Sequence, residues 1–410
     1  MKIYDKLILI TLCIFAILNP LLLSTNKFNI DYLIYLLVII QFLGFIFFKN
    51  ERLKVINFFK TIFKNKITLT LLLLNLTMYF STFVATDKRV AFTHSIRFSM
   101  YIILYYTISY SINSKKDLNI LINAFLSSSI LVSLGSFKEV LSYKMQGIEI
   151  SRSYRIASTL ENSNNLGLFA LLSIFLALMM LFNSKNSSKR LFYLIILFLN
   201  FFNLVVCQSR NIILGLSLGI FILLVIYNKR FLLLAIIPPL GLLIPQIRNI
   251  ALNFLSLTPE SSRYRIWKTT ALMIKDNFLT GIGYENYHIL YQSYVDKSKE
   301  TLVPLEGYGW IAQHPHNLLL KFQAETGILG SIVLILFIIA TYLYLFKSIS
   351  YSKSTFANLI LKAIIASFTA FIALNIFDCY FGSPKIMYTL FLILGFASCI
   401  NHIENHKKYK

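Results

Sequence analysis

The sequence has few charged residues and few cysteines. Only 14% of the 410 residues are charged, whereas 57% are hydrophobic, with 36 Phe and 24 Tyr. This composition excludes an ordinary water-soluble fold and predicts a membrane protein. The four cysteines show no C-x-x-C spacing, so neither a disulfide framework nor a cysteine zinc site is indicated. The first apolar run lacks a small-residue cleavage site, and we interpret it as a membrane anchor rather than a signal peptide.

Apolar runs of roughly 20 residues, the length that crosses a bilayer core of about 30 Å, recur along the chain. Twelve candidate transmembrane helices begin near Leu7, Ile30, Ile67, Ser95, Leu118, Asn165, Leu191, Ile212, Phe231, Leu318, Leu359 and Lys385. The run at Phe231 is short and is broken by Pro238, Pro239 and Pro245. We therefore predict an all-α polytopic membrane protein of about 12 transmembrane helices, with residues 1–410 forming a single transmembrane domain.

The net charge of +22 carries topological information, because most Lys and Arg residues lie in short loops between apolar runs. With twelve helices, these loops all fall on one face. The positive-inside rule then places both termini in the cytoplasm of a bacterial inner membrane, and the charge does not indicate a nucleic acid partner.

One long connection, residues 248–317 between helices 9 and 10, falls on the extracytoplasmic face. It contains Trp267, Trp310 and three of the six histidines. Long loops of ordinary polar composition are usually functional or disordered, and the aromatic residues favour a folded cap. The sequence therefore predicts a cap subregion over 248–317.

The extracytoplasmic face also has arginines that the positive-inside rule does not require. Guanidinium groups suit phosphate because their planar donors make bidentate contacts and stay charged. The alternative is that they are ordinary surface arginines. That alternative is weakest for Arg210, which lies in an almost loopless connection where a charge near the bilayer is costly unless it is used. The candidates for an anion site are Arg152, Arg155, Arg210, Arg263 and Arg265.

His316 ends the long connection and immediately precedes an apolar helix. An imidazole titrates near neutral pH and can take a proton from a sugar hydroxyl, so His316 is a candidate general base. A structural role is the alternative for a loop histidine at a helix start. Metal binding by His314 and His316 is weakly indicated, because the sequence shows no nearby carboxylate.

Four short motifs occur in order between about residues 155 and 345. His316-Asn317 is followed, after nine residues, by Gly327 and Gly330, which gives the pattern H-N-x9-G-x-x-G. The other three are the R-x3-L motif at Arg210, an R-x3-aromatic motif from Arg263 to Trp267 that precedes the turn Thr280–Gly283, and the Asn-rich helix entry 162–167. Together they resemble the O-antigen ligase/polymerase family of membrane glycosyltransferases.

The resemblance implies a GT-C-like, metal-independent, inverting glycosyltransferase without a cofactor. Its donor would be an undecaprenyl-diphosphate-linked glycan. Its acceptor would be a glycolipid core for a ligase or another lipid-linked glycan for a polymerase, and the sequence leaves this choice open.

The resemblance also implies residue roles. Arg210 and Arg263 would bind the diphosphate, with Arg265, Arg152 and Arg155 as further candidates, and His316 would activate the acceptor hydroxyl. Asn317 would hold the imidazole or cap the helix. Gly327 and Gly330 would permit close helix packing.

Two other classes of function fit the hydropathy. A lipid-linked oligosaccharide flippase or other transporter would also span the membrane many times, but transporters usually place ionisable residues inside their spans and show repeats. The spans of this sequence are nearly free of charge, and no repeat is evident. A structural membrane protein would leave the arginines and the His316 motif unexplained.

Overall fold

Long helices make up the protein. The computed structural model describes residues 2–23, 30–63, 65–238, 243–255, 262–298 and 312–406, and these ranges contain no β-strand. The α-helices are α1 (Lys2–Leu18), α2 (Asp31–Phe47), α3 (Lys49–Thr61), α4 (Lys66–Ser81), α5 (Lys88–Ser111), α6 (Lys115–Met145), α7 (Ser163–Asn183), α8 (Ser187–Val206), α9 (Arg210–Tyr227), α10 (Pro245–Leu255), α11 (Ser262–Asp276), α12 (Tyr287–Ser298), α13 (Leu318–Tyr351), α14 (Thr355–Asn375) and α15 (Pro384–His406). Short 3-10 helices cover Ser158–Leu160, Lys229–Ile236 and Tyr380–Gly382.

Polar side chains cap many of these helices. Asp87 accepts the backbone N–H of Val90 at the start of α5, and Asn317 accepts that of Leu320 at the start of α13. Such caps satisfy backbone donors that have no partner within the helix. The caps therefore mark where these helices begin.

Seven helices of the described residues are long and apolar enough to cross a membrane: α6, α7, α8, α9, α13, α14 and α15. An eighth span results if α2 and α3, which meet at an angle of 111°, are counted as one. Eleven of the twelve predicted runs coincide with α-helices. The protein is therefore an all-helical, multi-pass membrane protein, whereas the number of twelve spans stays a prediction.

The run at Phe231 differs from the others. A 3-10 helix covers Lys229–Ile236 instead of an α-helix, and Pro239 lies outside the described residues. Proline has no backbone N–H and clashes with the preceding turn, so a proline-rich run does not continue as a regular α-helix.

The most buried part of the fold consists of α7, α14 and α15. α14 packs against α9 and α7, and α15 packs against α5. Apolar side chains face inward around most of α15, including Tyr388 and Phe396. The connection between α14 and α15 is thereby fixed on both sides, and it contributes to the site described below.

The predicted cap segment contains α11 and α12. They share a small core in which Ile266, Met273, Tyr287 and Tyr291 are buried, with Trp267 packed against it. Trp310, also predicted to belong to the cap, lies outside the described residues. A second hydrophobic core is thus present beside that of the main helix bundle.

α13 is interrupted where the turn 278–283 contacts it. Gly327 has a φ of +68° and a ψ of −168°, which breaks the helical backbone. The carbonyl oxygens of Ala324 and Glu325 accept the N–H groups of Ile282 and Gly283, both at 2.9 Å. The turn therefore supplies the hydrogen bonds that the break removes from the helix.

Gly327→Ala is predicted to destabilise the protein strongly. A Cβ at this position would lie 2.1 Å from the carbonyl oxygen of Leu279, in a φ region that disfavours side chains by about 1–2 kcal/mol. Gly147 is a matched control, because it has the same φ of +68° but no atom within 4 Å of its Cβ position. Thermal unfolding in detergent should show a midpoint at least about 5 °C lower for Gly327→Ala than for Gly147→Ala. Equal midpoints would show that the contact with the turn is unimportant.

Candidate functional site

A polar cavity of about 360 Å³ lies where several helix ends meet. It is bordered by α5, the start of α7, the segment after the glycine turn, the start of α13 and the connection between α14 and α15. The lining residues are His94, Asn162, Asn164, Asn165, Glu285, His288, Gln313, His314, Lys321, Asp378, Cys379, Tyr380, Gly382 and Ser383. A concave site of this size with converging polar groups is typical of a small-molecule or substrate site.

His316 lies beside this cavity, next to two of its lining residues. Its Nδ1 lies 3.2 Å from a carboxylate oxygen of Asp378, and its ring centroid lies 4.4 Å from that of His314. Trp267 of α11 donates from Nε1 to the carbonyl of Pro315 at 2.8 Å, which ties this segment to the cap. The φ of His316 is +50°, a region that a non-glycine residue rarely adopts.

Asp378 is the residue of the site that the sequence analysis missed. It also accepts from the side-chain amide of Asn164 at 3.0 Å and from the backbone N–H of Cys379 at 2.9 Å. Burial alone would raise the pKa of Asp378, but the hydrogen bond and charge of His316, with that of His314, lower it to about 2. Asp378 is therefore a carboxylate at physiological pH and can orient the imidazole of His316.

A signal for Asp378 is present in the sequence. It lies in a short connection between two strongly apolar runs, where a charge is costly unless it has a role. The same reasoning singled out Arg210, and applying it to carboxylates would have identified Asp378.

His314 lies between His316 and the cavity. Burial and the neighbouring His316 lower the pKa of His314 to about 4, so its ring is neutral near pH 7. Ligand atoms of His314, His316 and Asp378 all lie within 4.8 Å of one another, a spacing that could hold a metal ion. The sequence shows no carboxylate near these two histidines, but the fold brings Asp378 next to them.

Arg263 lies in the first turn of α11, and Arg210 is the first residue of α9. Burial lowers the pKa of Arg263, the carboxylate of Asp378 raises it, and the positive charge of Arg210 lowers it further. Arg263 therefore lies within electrostatic range of both Asp378 and Arg210. Arg210 itself donates to the backbone carbonyl of Asn253 at 3.0 Å. Neither arginine lines the cavity, whereas His316 contacts two residues that do, Asp378 and His314.

The other predicted arginines are placed differently. Arg155 donates from Nε to the carbonyl of Cys207 at 3.0 Å and from an Nη to the side chain of Asn164, which in turn contacts Asp378. Arg155 thus supports Asp378 indirectly, through Asn164. Arg152 is exposed, and Arg265 is partly buried on α11, two residues after Arg263.

Asn317 and the two glycines have structural positions. The Asn317 side chain caps α13 and donates to the carbonyl of Ile376 at 3.0 Å, which joins the start of α13 to the end of α14. Asn317 was predicted either to hold the imidazole or to cap the helix, and its side chain caps the helix. Gly327 contacts the turn at Leu279 rather than another helix. A Cβ on Gly330 would meet Thr326 of its own helix and would lie 3.5 Å from the hydroxyl oxygen of Thr77 on α4, so Gly330 also stands where two helices approach each other.

A second charged cluster borders the cavity. Lys321 Nζ lies 2.5 Å from Glu285 and 3.9 Å from Glu325, and the side chains of Lys321 and Glu325 are each only 1% exposed. This corrects the statement that the spans are nearly free of charge, since Lys321 and Glu325 both belong to α13. Both precede the break at Gly327, and the apolar run that follows is long enough to cross the hydrocarbon core.

Comparison with known proteins identifies a related family. Residues 195–335 match the family model described as O-antigen ligase. A curated protein of Rickettsia felis named "Putative polysaccharide ligase" is 31% identical over 202 residues, which are 45% of this chain and 46% of that protein. The match therefore spans about half the length of the relative. The resemblance predicted from the motifs is confirmed, and Arg210, Arg263 and His316 lie within the matched segment.

Proposed function

We propose that this chain is a membrane glycosyltransferase of the O-antigen ligase/polymerase type, which transfers a glycan from undecaprenyl diphosphate to a sugar hydroxyl. The observation that supports this most strongly is the His316–Asp378 pair beside a polar cavity, with Arg263 in electrostatic range of both Asp378 and Arg210. The match of residues 195–335 to the O-antigen ligase family supports the same function.

In this mechanism His316 is the general base. Its Nδ1 faces Asp378, so Nε2 is the nitrogen that takes the proton of the acceptor hydroxyl. The oxygen of that hydroxyl attacks the anomeric carbon, and the bond from that carbon to the diphosphate breaks with its electron pair. Attack from the face opposite the leaving group inverts the anomeric configuration. Asp378 stabilises the imidazolium that forms, because it is ionised and held in place.

The leaving diphosphate gains negative charge as the bond breaks. Arg263 and Arg210 can bind it through bidentate contacts, and both stand at helix starts, where the helix dipole also favours an anion. Fixed guanidinium groups can thus provide the positive charge that a divalent cation provides in other glycosyltransferases. We infer that the reaction needs no metal, and the ligand spacing at His314, His316 and Asp378 makes this inference one to test.

The test is reconstitution of the purified protein with undecaprenyl-diphosphate glycan from the source bacterium. Parallel reactions would offer either its lipid core or a second molecule of the same donor, each with and without EDTA. Transfer in EDTA is expected, and the product identifies a ligase or a polymerase. Transfer that disappears in EDTA and returns with an added divalent metal would assign the histidine–aspartate cluster to a metal instead.

Substitutions at the site should separate chemistry from structure. His316→Ala is expected to lower the transfer rate by about 100-fold or more, because a positioned base contributes roughly 10²–10⁴-fold. Arg263→Lys keeps the charge but loses the bidentate fork, so a large loss is expected there too. Arg190→Lys is the control, since Arg190 is exposed in the first turn of α8 and belongs to none of the candidate sites. Wild-type rates in His316→Ala would remove the proposed base.

Asp378→Asn tests the role of the carboxylate. The amide cannot stabilise the imidazolium and can hold the wrong tautomer, so we expect a rate lower by about 100-fold or more. Because the pKa of Asp378 is about 2 and that of His314 about 4, neither group titrates between pH 5 and 8. The rates are compared at pH 8, where Asp378 is ionised and His314 is neutral, so that the loss reports the missing carboxylate. A wild-type rate in Asp378→Asn would show that this carboxylate has no part in the reaction.

We also propose that the protein is a GT-C-like protein of the bacterial inner membrane, with about 12 spans, cytoplasmic termini and an extracytoplasmic site beneath the cap 248–317. Ser293 of α12 and Ser188 at the start of α8 are both exposed and make a matched pair. In intact spheroplasts, a membrane-impermeant maleimide should label Ser293→Cys and should label Ser188→Cys only after lysis. The reverse pattern would invert the proposed topology.

A further inference from the structure

The Glu285–Lys321 cluster has no part in the proposed chemistry, although it borders the same cavity. Glu285 and Lys321 line the cavity, together with His94 and His288, whereas Glu325 does not. Glu325 accepts the backbone N–H of Glu285 at 3.0 Å and so holds that residue from behind. Only one of the two carboxylates around Lys321 is thus presented to a ligand.

The charges of the cluster do not suit a phosphate. The ammonium group of Lys321 is paired with Glu285 and lies 3.9 Å from Glu325, so Lys321 is not available as a free positive charge for an anion. Burial alone would raise the pKa of Glu285, but the ammonium of Lys321 outweighs burial and lowers it, so Glu285 is a carboxylate. A carboxylate is an acceptor only, and it matches hydroxyl donors rather than another anion.

The carboxylate of Glu285 has room to accept more donors. A carboxylate offers about four acceptor positions, and the ammonium of Lys321 occupies one of them. Gly382 lines the cavity beside the pair, and a Cβ there would lie 3.5 Å from Glu285 Oε1 and 3.6 Å from Lys321 Nζ. Because Gly382 has no side chain, the space in front of the carboxylate stays open.

The backbone of Glu285 is unusual as well. Its φ is +58°, so it adopts the left-handed region, as His316 does. Such conformations in non-glycine residues cost about 1–3 kcal/mol and persist where the surrounding structure imposes them, often at ligand sites. Two such residues lie at the same cavity, one beside the proposed base and one in this cluster.

We propose that Glu285, held by Lys321, accepts hydrogen bonds from the hydroxyl groups of a sugar ring bound in the cavity. This inference rests on the proposed glycosyl transfer and adds a specificity-determining residue to it. The sugar can belong to the donor glycan or to the acceptor glycan, and kinetics with each distinguishes the two.

The experiment compares Glu285→Gln with Glu325→Gln in the reconstituted reaction. Both variants replace one carboxyl group beside Lys321, but only Glu285 lines the cavity. In Glu325→Gln the amide oxygen can still accept the backbone N–H of Glu285, so Glu285 keeps its place. Glu285→Gln should raise the KM for one of the two glycans by about 10-fold or more, as expected for lost charge-assisted hydrogen bonds, with kcat changed by less than about threefold. Glu325→Gln should leave both KM values within about threefold of wild type. The glycan whose KM rises identifies the source of the sugar.

Gly382→Leu gives a second test that does not alter the charged cluster. Its side chain would enter the space before Glu285, so the same KM should rise. Unchanged KM values in both Glu285→Gln and Gly382→Leu would overturn the proposal, and so would an equal rise in Glu325→Gln.

A binding measurement separates this proposal from the transferase function. The donor glycan and the lipid-core oligosaccharide, each released from its lipid by mild acid, would be titrated against tryptophan fluorescence of the detergent-solubilised protein. One of them should bind wild type about 10-fold more tightly than Glu285→Gln. If the wild type transfers no glycan but this difference holds, the transferase proposal fails and the sugar site stands. If transfer occurs and neither oligosaccharide shows the difference, the sugar site is wrong.

Discussion

The hydrogen bond between His316 and Asp378 is the interaction on which the site depends. It joins residues 62 positions apart, one at the end of the cap segment and one between α14 and α15. A buried carboxylate is costly without a partner, so this pairing fixes both connections as well as the ring orientation. Asn164 extends it to α7 and Arg155, and Trp267 holds the other end through Pro315. The histidine is thus placed by three separate parts of the chain.

Charge is divided around the cavity. Arg263 lies within range of Asp378 and Arg210, whereas Glu285 and Glu325 lie beside Lys321. A substrate with an anionic diphosphate and a neutral sugar needs such a division, because one polar environment cannot favour both. Most of the charges belong to helix ends outside the apolar stretches, which lets a strongly hydrophobic chain hold a polar site.

The sequence predicted the helices well, because each apolar run has the length of a span and most have capping residues at their starts. It also singled out His316 and Arg263, which stand in motifs with fixed spacing and which the structure places near Asp378. It missed Asp378, Glu285 and Lys321, because only the tertiary fold brings them to the site and they belong to no motif of fixed spacing. The prolines of the Phe231 run predicted a broken helix, and a 3-10 helix covers Lys229–Ile236.

The turn 278–283 is hydrogen-bonded to α13 just before the break at Gly327, which joins the cap to this helix. The turn supplies N–H donors to carbonyls that the helix break leaves open, and those carbonyls belong to the segment that carries Lys321 and Glu325. The cap of this protein therefore cannot be replaced as an independent unit. In a chimera that is to keep the substrate preference of the cap donor, the junction has to lie after Gly327. The transferred segment then contains both the cap and the part of α13 to which the cap is hydrogen-bonded.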